Sequence, residues 1–287
     1  MRLLCATDLS SRSDRAMRRA AALAREAGAE LVLLSVVDDN QPASIVANER
    51  REVSALLAGT VSAMPEMQGL RPRLRVETGD PFETIIRIAD EEAADLIVMG
   101  EHRRRVLPDM FVGTTVERVM RRGRLPVLMA HHPAGRPYRR VLVAIDMSAV
   151  SATALRAAVR LGFAERGALG VFHAFQQPGK GSLAVAGIPA ETIARHVSAT
   201  AAQARAAVER FLAGLGPVLG TRLPDITIEE GFPAEALREA AGRLAADLVV
   251  IGTRGHGAIG RLVLGSVAEE TLRTLACDVL VVPARAA

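Results

Sequence analysis

Mostly unbroken apolar runs recur along the first half of the chain: Leu3 to Thr7, Leu31 to Val37, Leu74 to Thr78, Leu96 to Met99 and Val127 to Ala130. Runs of this kind, rather than strict alternation, mark strands buried on both faces. Between the first two, Met17, Ala20, Ala21 and Ala24 fall at i, i+3, i+4 and i+7, the apolar stripe of an amphipathic helix. Leu155, Ala158, Val159 and Gly162 repeat that spacing in the second half, where Ile193, Val197, Ala204, Val208, Phe211 and Leu215 predict a longer helix. Strands alternating with helices predict an α/β fold, a doubly wound parallel sheet of about five strands in each domain.

The pattern is written twice. Leu3-Leu4-Cys5-Ala6-Thr7-Asp8-Leu9-Ser10 returns 138 residues later as Val141-Leu142-Val143-Ala144-Ile145-Asp146-Met147-Ser148. Asp95 to Gly100 returns after 152 residues as Asp247 to Gly252, and the same offset relates Gly79-Asp80-Pro81 to Gly231-Phe232-Pro233 and Gly113-Thr114 to Gly265-Ser266. The second copy therefore carries 14 extra residues between its second strand and Gly231, which the reading assigns to the longer helix. Two homologous domains are expected, 1–132 and 138–287, joined near the Pro- and Gly-punctuated stretch from His132 to Pro137.

Composition narrows the field. With 49% hydrophobic and 24% charged residues the chain has the make-up of a globular protein rather than a disordered one. No apolar run approaches the ~20 residues of a membrane span. The run Leu3 to Ala6 stops short of Asp8, too soon for a secretory leader, so a cytoplasmic location is expected. Cys5 and Cys277 sit in apolar segments with no metal-ligand spacing and read as buried thiols. All but one of the 36 basic residues are arginine, which does not deprotonate below pH ~12, so a pI near 9.9 follows from a net charge of only +4 and says little about nucleic acid. One tyrosine, seven phenylalanines and no tryptophan also supply few platforms for stacking a nucleic-acid strand. Lys180 is the single lysine, and a P-loop around it fails because Ala174 stands where its first glycine belongs and Gly181 where Ser or Thr belongs.

The segment after the second copy's fourth strand runs Gly252-Thr253-Arg254-Gly255-His256-Gly257-Ala258-Ile259-Gly260, then reaches Gly265-Ser266 at a helix start. Glycine reaches the φ > 0 conformations that turn backbone amides inward, and such amides facing a helix N-terminus make an anion site. Gly255-x-Gly257-x-x-Gly260 matches the dinucleotide fingerprint, but it follows the fourth strand rather than the first and no acidic residue follows about 20 positions on. His256, Arg254 and Arg261 have surface roles as an alternative to phosphate contact, and His131-His132 is too short a pair to argue a metal. Ser266 reads as a helix cap.

Gly252-x2-Gly255-x9-Gly265-Ser266, with a first strand ending at Asp146, resembles the ATP-binding pattern of the universal stress protein family, and the two copies resemble its tandem-domain members over essentially the whole chain. The resemblance implies Rossmann-like domains with strand order 3-2-1-4-5, their fifth strands pairing within the chain as a pseudo-dimer. It implies that Ala144 and Asp146 meet the nucleoside and that Ala174 and Phe175 flank the base. Gly252, Thr253, Arg254, Gly255, His256, Gly257 and Ala258 would wrap the phosphates, and Gly265, Ser266 and Val267 would bind their outer oxygens. ATP, accompanied by Mg, is the implied ligand.

The first copy departs from this pattern: Arg103 replaces the second motif glycine, and Arg105 and Pro108 stand where Gly257 and Gly260 would. Arginine adopts a left-handed turn only at a cost and proline removes a donor, so the first copy is expected not to hold ATP in that manner. Arg103, Arg104 and Arg105 gripping phosphate by side chain is the rival; a solvated cationic loop is the plainer reading. Three functions follow for the whole: an ATP-dependent stress-response regulator, a slow ATPase or autokinase acting on Ser266, or a scaffold with no obligatory ligand. No catalytic base is recognisable, which ranks the enzyme below the regulator. A homodimer and an unidentified protein partner complete the expectations.

Overall fold

The computed structural model describes residues 1–101, 114–131, 136–177, 188–219, 224–253 and 264–284. The first copy runs β1 (Arg2–Ala6), α1 (Ser11–Ala27), β2 (Glu30–Val37), α2 (Ala43–Ala63), β3 (Arg73–Thr78), α3 (Pro81–Glu91), β4 (Leu96–Gly100), α4 (Thr115–Arg122) and β5 (Val127–Ala130). The second repeats it as β6 (Arg140–Ala144), α5 (Ala149–Arg160), β7 (Ala168–Phe175), α6 (Ala190–Ala213), β8 (Asp225–Glu230), α7 (Pro233–Arg243), β9 (Leu248–Gly252), α8 (Ser266–Thr274) and β10 (Asp278–Val282).

Within each copy the strands lie in the order 3-2-1-4-5, all parallel. The two sheets do not stay separate. β5 and β10 pair antiparallel, with Val127 opposite Val281, Leu128 opposite Leu280 and Met129 opposite Val279, which gives one continuous ten-stranded sheet. Both strands are buried throughout. Strands that apolar cannot remain as sheet edges, and each copy covers the other's. The true edges, β3 and β8, are short and charged, which disfavours further pairing.

Residues alternate along each strand between two cores. Leu3, Cys5, Leu31 and Leu33 pack under α1 and α2, whereas Leu4, Ala6, Val32 and Leu34 pack under α3 and α4. Both cysteines are buried, and loss of water raises both thiols, Cys277 to about 12, as inert core groups require. The 14 extra residues of the second copy do not chiefly lengthen its helix: α6 has 24 residues against 21 for α2, and most of the insertion precedes it.

A buried polar knot sits where the copies meet. Asp278, at the start of β10, is fully buried and accepts hydrogen bonds from the His131 amide (2.8 Å) and the Tyr138 hydroxyl (2.5 Å). Arg19 of α1 places Nε 2.9 Å from the same carboxylate but off the line of a good hydrogen bond, so charge holds the pair. Its guanidinium lies 4.4 Å from the centre of the Tyr138 ring and donates to the Arg136 carbonyl. Burial first, and then the neighbouring Asp278 charge, push the Tyr138 phenol well above its ordinary value. In the repeat the counterpart of Asp278 is Pro126 and that of Arg19 is Ala157, so the knot is not part of the shared fold.

Candidate functional site

The carboxyl ends of β6 and β9 diverge toward opposite sides of the sheet, the switch point where ligands of open α/β sheets lie. A cavity of about 260 Å³ opens there. The strand ends supply Ala144, Phe172, His173, Ala174, Ile251 and Gly252, while Ile145 and Asp146 come from the turn into α5 and Ser151 from its first turn. Pro233 and Leu237 of α7 face Gly265, Val267 and Ala268 of α8 across the opening.

Asp146 is aimed by a tight local turn. Its carboxylate accepts the Ser148 amide at 3.0 Å, and Met147 between them has φ +63°, a conformation few non-glycine residues adopt. Ser148 then caps α5 by accepting the Ser151 amide, and the Ser151 hydroxyl donates to the Ser148 carbonyl at 3.0 Å. His173 Nδ1 donates to the Ile145 carbonyl (2.9 Å), which places the neutral ring's proton on Nδ1. Among the described lining residues no lysine or arginine appears, so an anion entering here depends on backbone donors or on groups outside the described residues.

Six residues expected from the sequence line the cavity: Ala144, Asp146, Ala174, Gly252, Gly265 and Val267. Three described ones do not. Phe175 points to the other side of β7 from Ala174, as alternation requires. Thr253 works through its backbone, its amide donating to the Val282 carbonyl and its carbonyl accepting the Gly265 amide at 2.8 Å. That bond ties together the two ends of the glycine-rich segment and commits the Gly265 N–H to the protein. Ser266 is not the cap: Gly265 is the N-cap of α8 and Ser266 is its exposed first residue. The first-turn amides of Ser266, Val267 and Ala268 lack intrahelical acceptors by position. Arg254, Gly255, His256, Gly257 and Ala258 lie outside the described residues, as do Arg103, Arg104 and Arg105. Ser151, Leu237 and Ala268 escaped the sequence reading; each lies near the start of a helix that packs over the strand ends.

A doubly wound α/β protein with a cavity at the switch point and a glycine-rich segment beside it is the class that fold and site define. The family model of the universal stress protein family matches residues 1–131 and again 137–283, and the chain belongs to that family. Universal stress protein MJ0577 of Methanocaldococcus jannaschii is 24% identical over 156 residues, 45% of this chain and 93% of that protein. A universal stress protein of Thermus aquaticus is 40% identical over 74 residues, 26% of this chain and 54% of that protein. In overall fold the chain is similar to a universal stress protein from Archaeoglobus fulgidus, with TM-score 0.71, 22% identity, and 99% and 98% of the two chains covered. Among the described residues no helix is long and apolar enough to cross a membrane, and no group of three His, Cys, Asp or Glu could hold a metal ion.

Proposed function

We propose that this chain is a stress-response regulator whose second copy binds ATP, with Mg²⁺ on the triphosphate, while its first copy does not. The observation that carries the reading is the cavity itself, where Asp146, Ala174, Gly252 and Gly265 converge between the first turns of α7 and α8. At about 260 Å³ it lies at the small end of ligand pockets, a volume suited to a nucleoside, with the triphosphate directed toward the glycine-rich segment. Asp146 suits a ribose, because a carboxylate accepts from hydroxyls. The two domains are 1–132 and 138–287, and only the second carries the full glycine pattern.

Ligand occupancy would act on the protein through Thr253, whose two backbone bonds link the glycine-rich segment to β10 and α8, and β10 is the strand that pairs with the other copy. Self-phosphorylation is the second reading, favoured by the exposure of Ser266 between the cavity residues Gly265 and Val267. Equilibrium dialysis with labelled ATP tests the first reading: one nucleotide per chain is expected. Two per chain would overturn the asymmetry, and none would overturn nucleotide binding altogether. A phosphate mass shift on Ser266 after incubation with ATP would promote the second.

A further inference from the structure

The residue just before the cavity-lining Pro233 breaks two local rules. Phe232 is 70% exposed, more than any other exposed large apolar side chain described, and it occupies the N-cap of α7 without accepting a cap hydrogen bond. The same position in the first copy is Asp80, whose carboxylate accepts the Phe82 and Glu83 amides at 3.0 and 3.2 Å. Asp80 also pairs with Arg118 of α4 at 3.1 Å, and Arg118 stacks over the Phe82 ring at 3.7 Å, so a strap joins the first turns of α3 and α4. The second copy has Phe232, Ala234 and Glu270 at those three positions. Its strap is gone, and the cavity opens in that gap, between Pro233 on α7 and Val267 on α8.

A solvated aromatic that displaces a helix cap conflicts with both burial and capping preferences, and such conflicts concentrate at functional sites. A turn places its backbone. Gly231, at φ +153°, donates to the Phe175 carbonyl at 2.9 Å, which sets residue 232 beside the end of β7, where Ala174 enters the cavity wall.

We propose that Phe232 is a stacking platform that takes the face of an aromatic base, so that the site selects nucleotides over phosphorylated ligands lacking a ring. The proposal rests on the nucleotide reading above and names the residue that sets its selectivity. Base–aromatic stacking makes a contribution that converts to about tenfold or more in affinity.

Calorimetry on the full chain tests it. In Phe232→Leu the dissociation constant for ATP should rise about tenfold. Phe232→Asp restores the cap of the first copy, should melt no lower than the parent protein, and should lose ATP affinity to the same degree, which separates stacking from folding. The chain has no tryptophan, so Phe232→Trp introduces a single indole. Saturating ATP should quench its emission, and inorganic tripolyphosphate should not. ATP binding by the parent protein with unchanged affinity in Phe232→Leu would overturn the stacking role and leave nucleotide binding standing. A parent protein that binds no ATP would overturn both.

Discussion

After β4 the first copy places Glu101, and at the matching point after β9 the second places Thr253. Glu101 receives Arg15 at 3.2 Å and faces His131 Nδ1 at 3.2 Å, so the first copy fills this point with a carboxylate held by its own neighbours. Thr253 is buried and uses its backbone to join β10 to the start of α8. The turns after the strand-end aspartates are alike: Asp8 accepts the Ser10 amide and Asp146 the Ser148 amide, both at 3.0 Å, and Ser13 and Ser151 each lie 3.0 Å from the carbonyl of their helix's N-cap serine. The strand order is identical in the two copies, and at the candidate site the difference lies in side chains at the carboxyl ends of the strands and in the helix turns above them. One scaffold can thus hold a closed, self-paired site and an open one, because the sheet bears the fold's stability and leaves that face free to vary.

The largest effect belongs to the knot that binds the two copies. Asp278→Ala strands the buried Arg19 charge together with the Tyr138 hydroxyl and the His131 amide, and breaking a buried pair from one side costs about 3–5 kcal/mol. Urea unfolding should shift by that amount. Replacing the pair by Arg19→Met with Asp278→Leu should recover most of it, since well-packed apolar residues often match a buried ion pair. If Asp278→Ala unfolds like the parent protein, the knot does not hold the copies together.

Next in size is an attempt to turn the second site into the first. The first copy has Val36 and Val116 where the second has Ala174 and Ala268, both in the cavity wall. Ala174→Val with Ala268→Val should fill part of the cavity and weaken ATP binding tenfold or more, roughly 1.4 kcal/mol at the least. The melting temperature should stay within a few degrees, because the added methyl groups enter empty space. Unchanged affinity in isothermal titration would show that the nucleotide does not use this cavity.

Much of the fold was legible in the sequence, because strands buried on both faces leave long apolar runs and the repeat supplies a second reading of each. The candidate cavity residues Ala144, Asp146, Ala174 and Gly252 came from the family resemblance, and each sits where an apolar run stops. Phe175 came with them and does not line the cavity, since a one-residue step along β7 reverses the face. Leu237 and Ala268 were hidden because which residue of a helix meets the sheet depends on how the helix crosses it, a property of packing rather than of local pattern. The Asp278 knot joins residues 147 and 140 positions apart and leaves no local trace at all.

The smallest expected effect separates the copies by pH. Burial alone would raise the Asp80 carboxyl, but the Glu83 amide and Arg118 outweigh it and hold it below the ordinary aspartate value. A carboxylate whose folded pKa is depressed contributes stability above its unfolded value, about 3.9, and loses that contribution as pH falls through the folded value. The pair is substantially exposed, so screening limits it to about 1 kcal/mol or less. Asp80→Asn keeps a good helix cap and removes the charge. It should lower the melting temperature slightly at neutral pH, and the gap from the parent protein should close as pH falls below the ordinary aspartate range. Phe232, at the same position in the second copy, cannot titrate, so Phe232→Asn should give a melting difference that does not change over that acid range. A gap for Asp80→Asn that stays constant down to acid pH would trace the stability of α3 to the cap alone and remove the Asp80–Arg118 strap as a distinction between the two mouths.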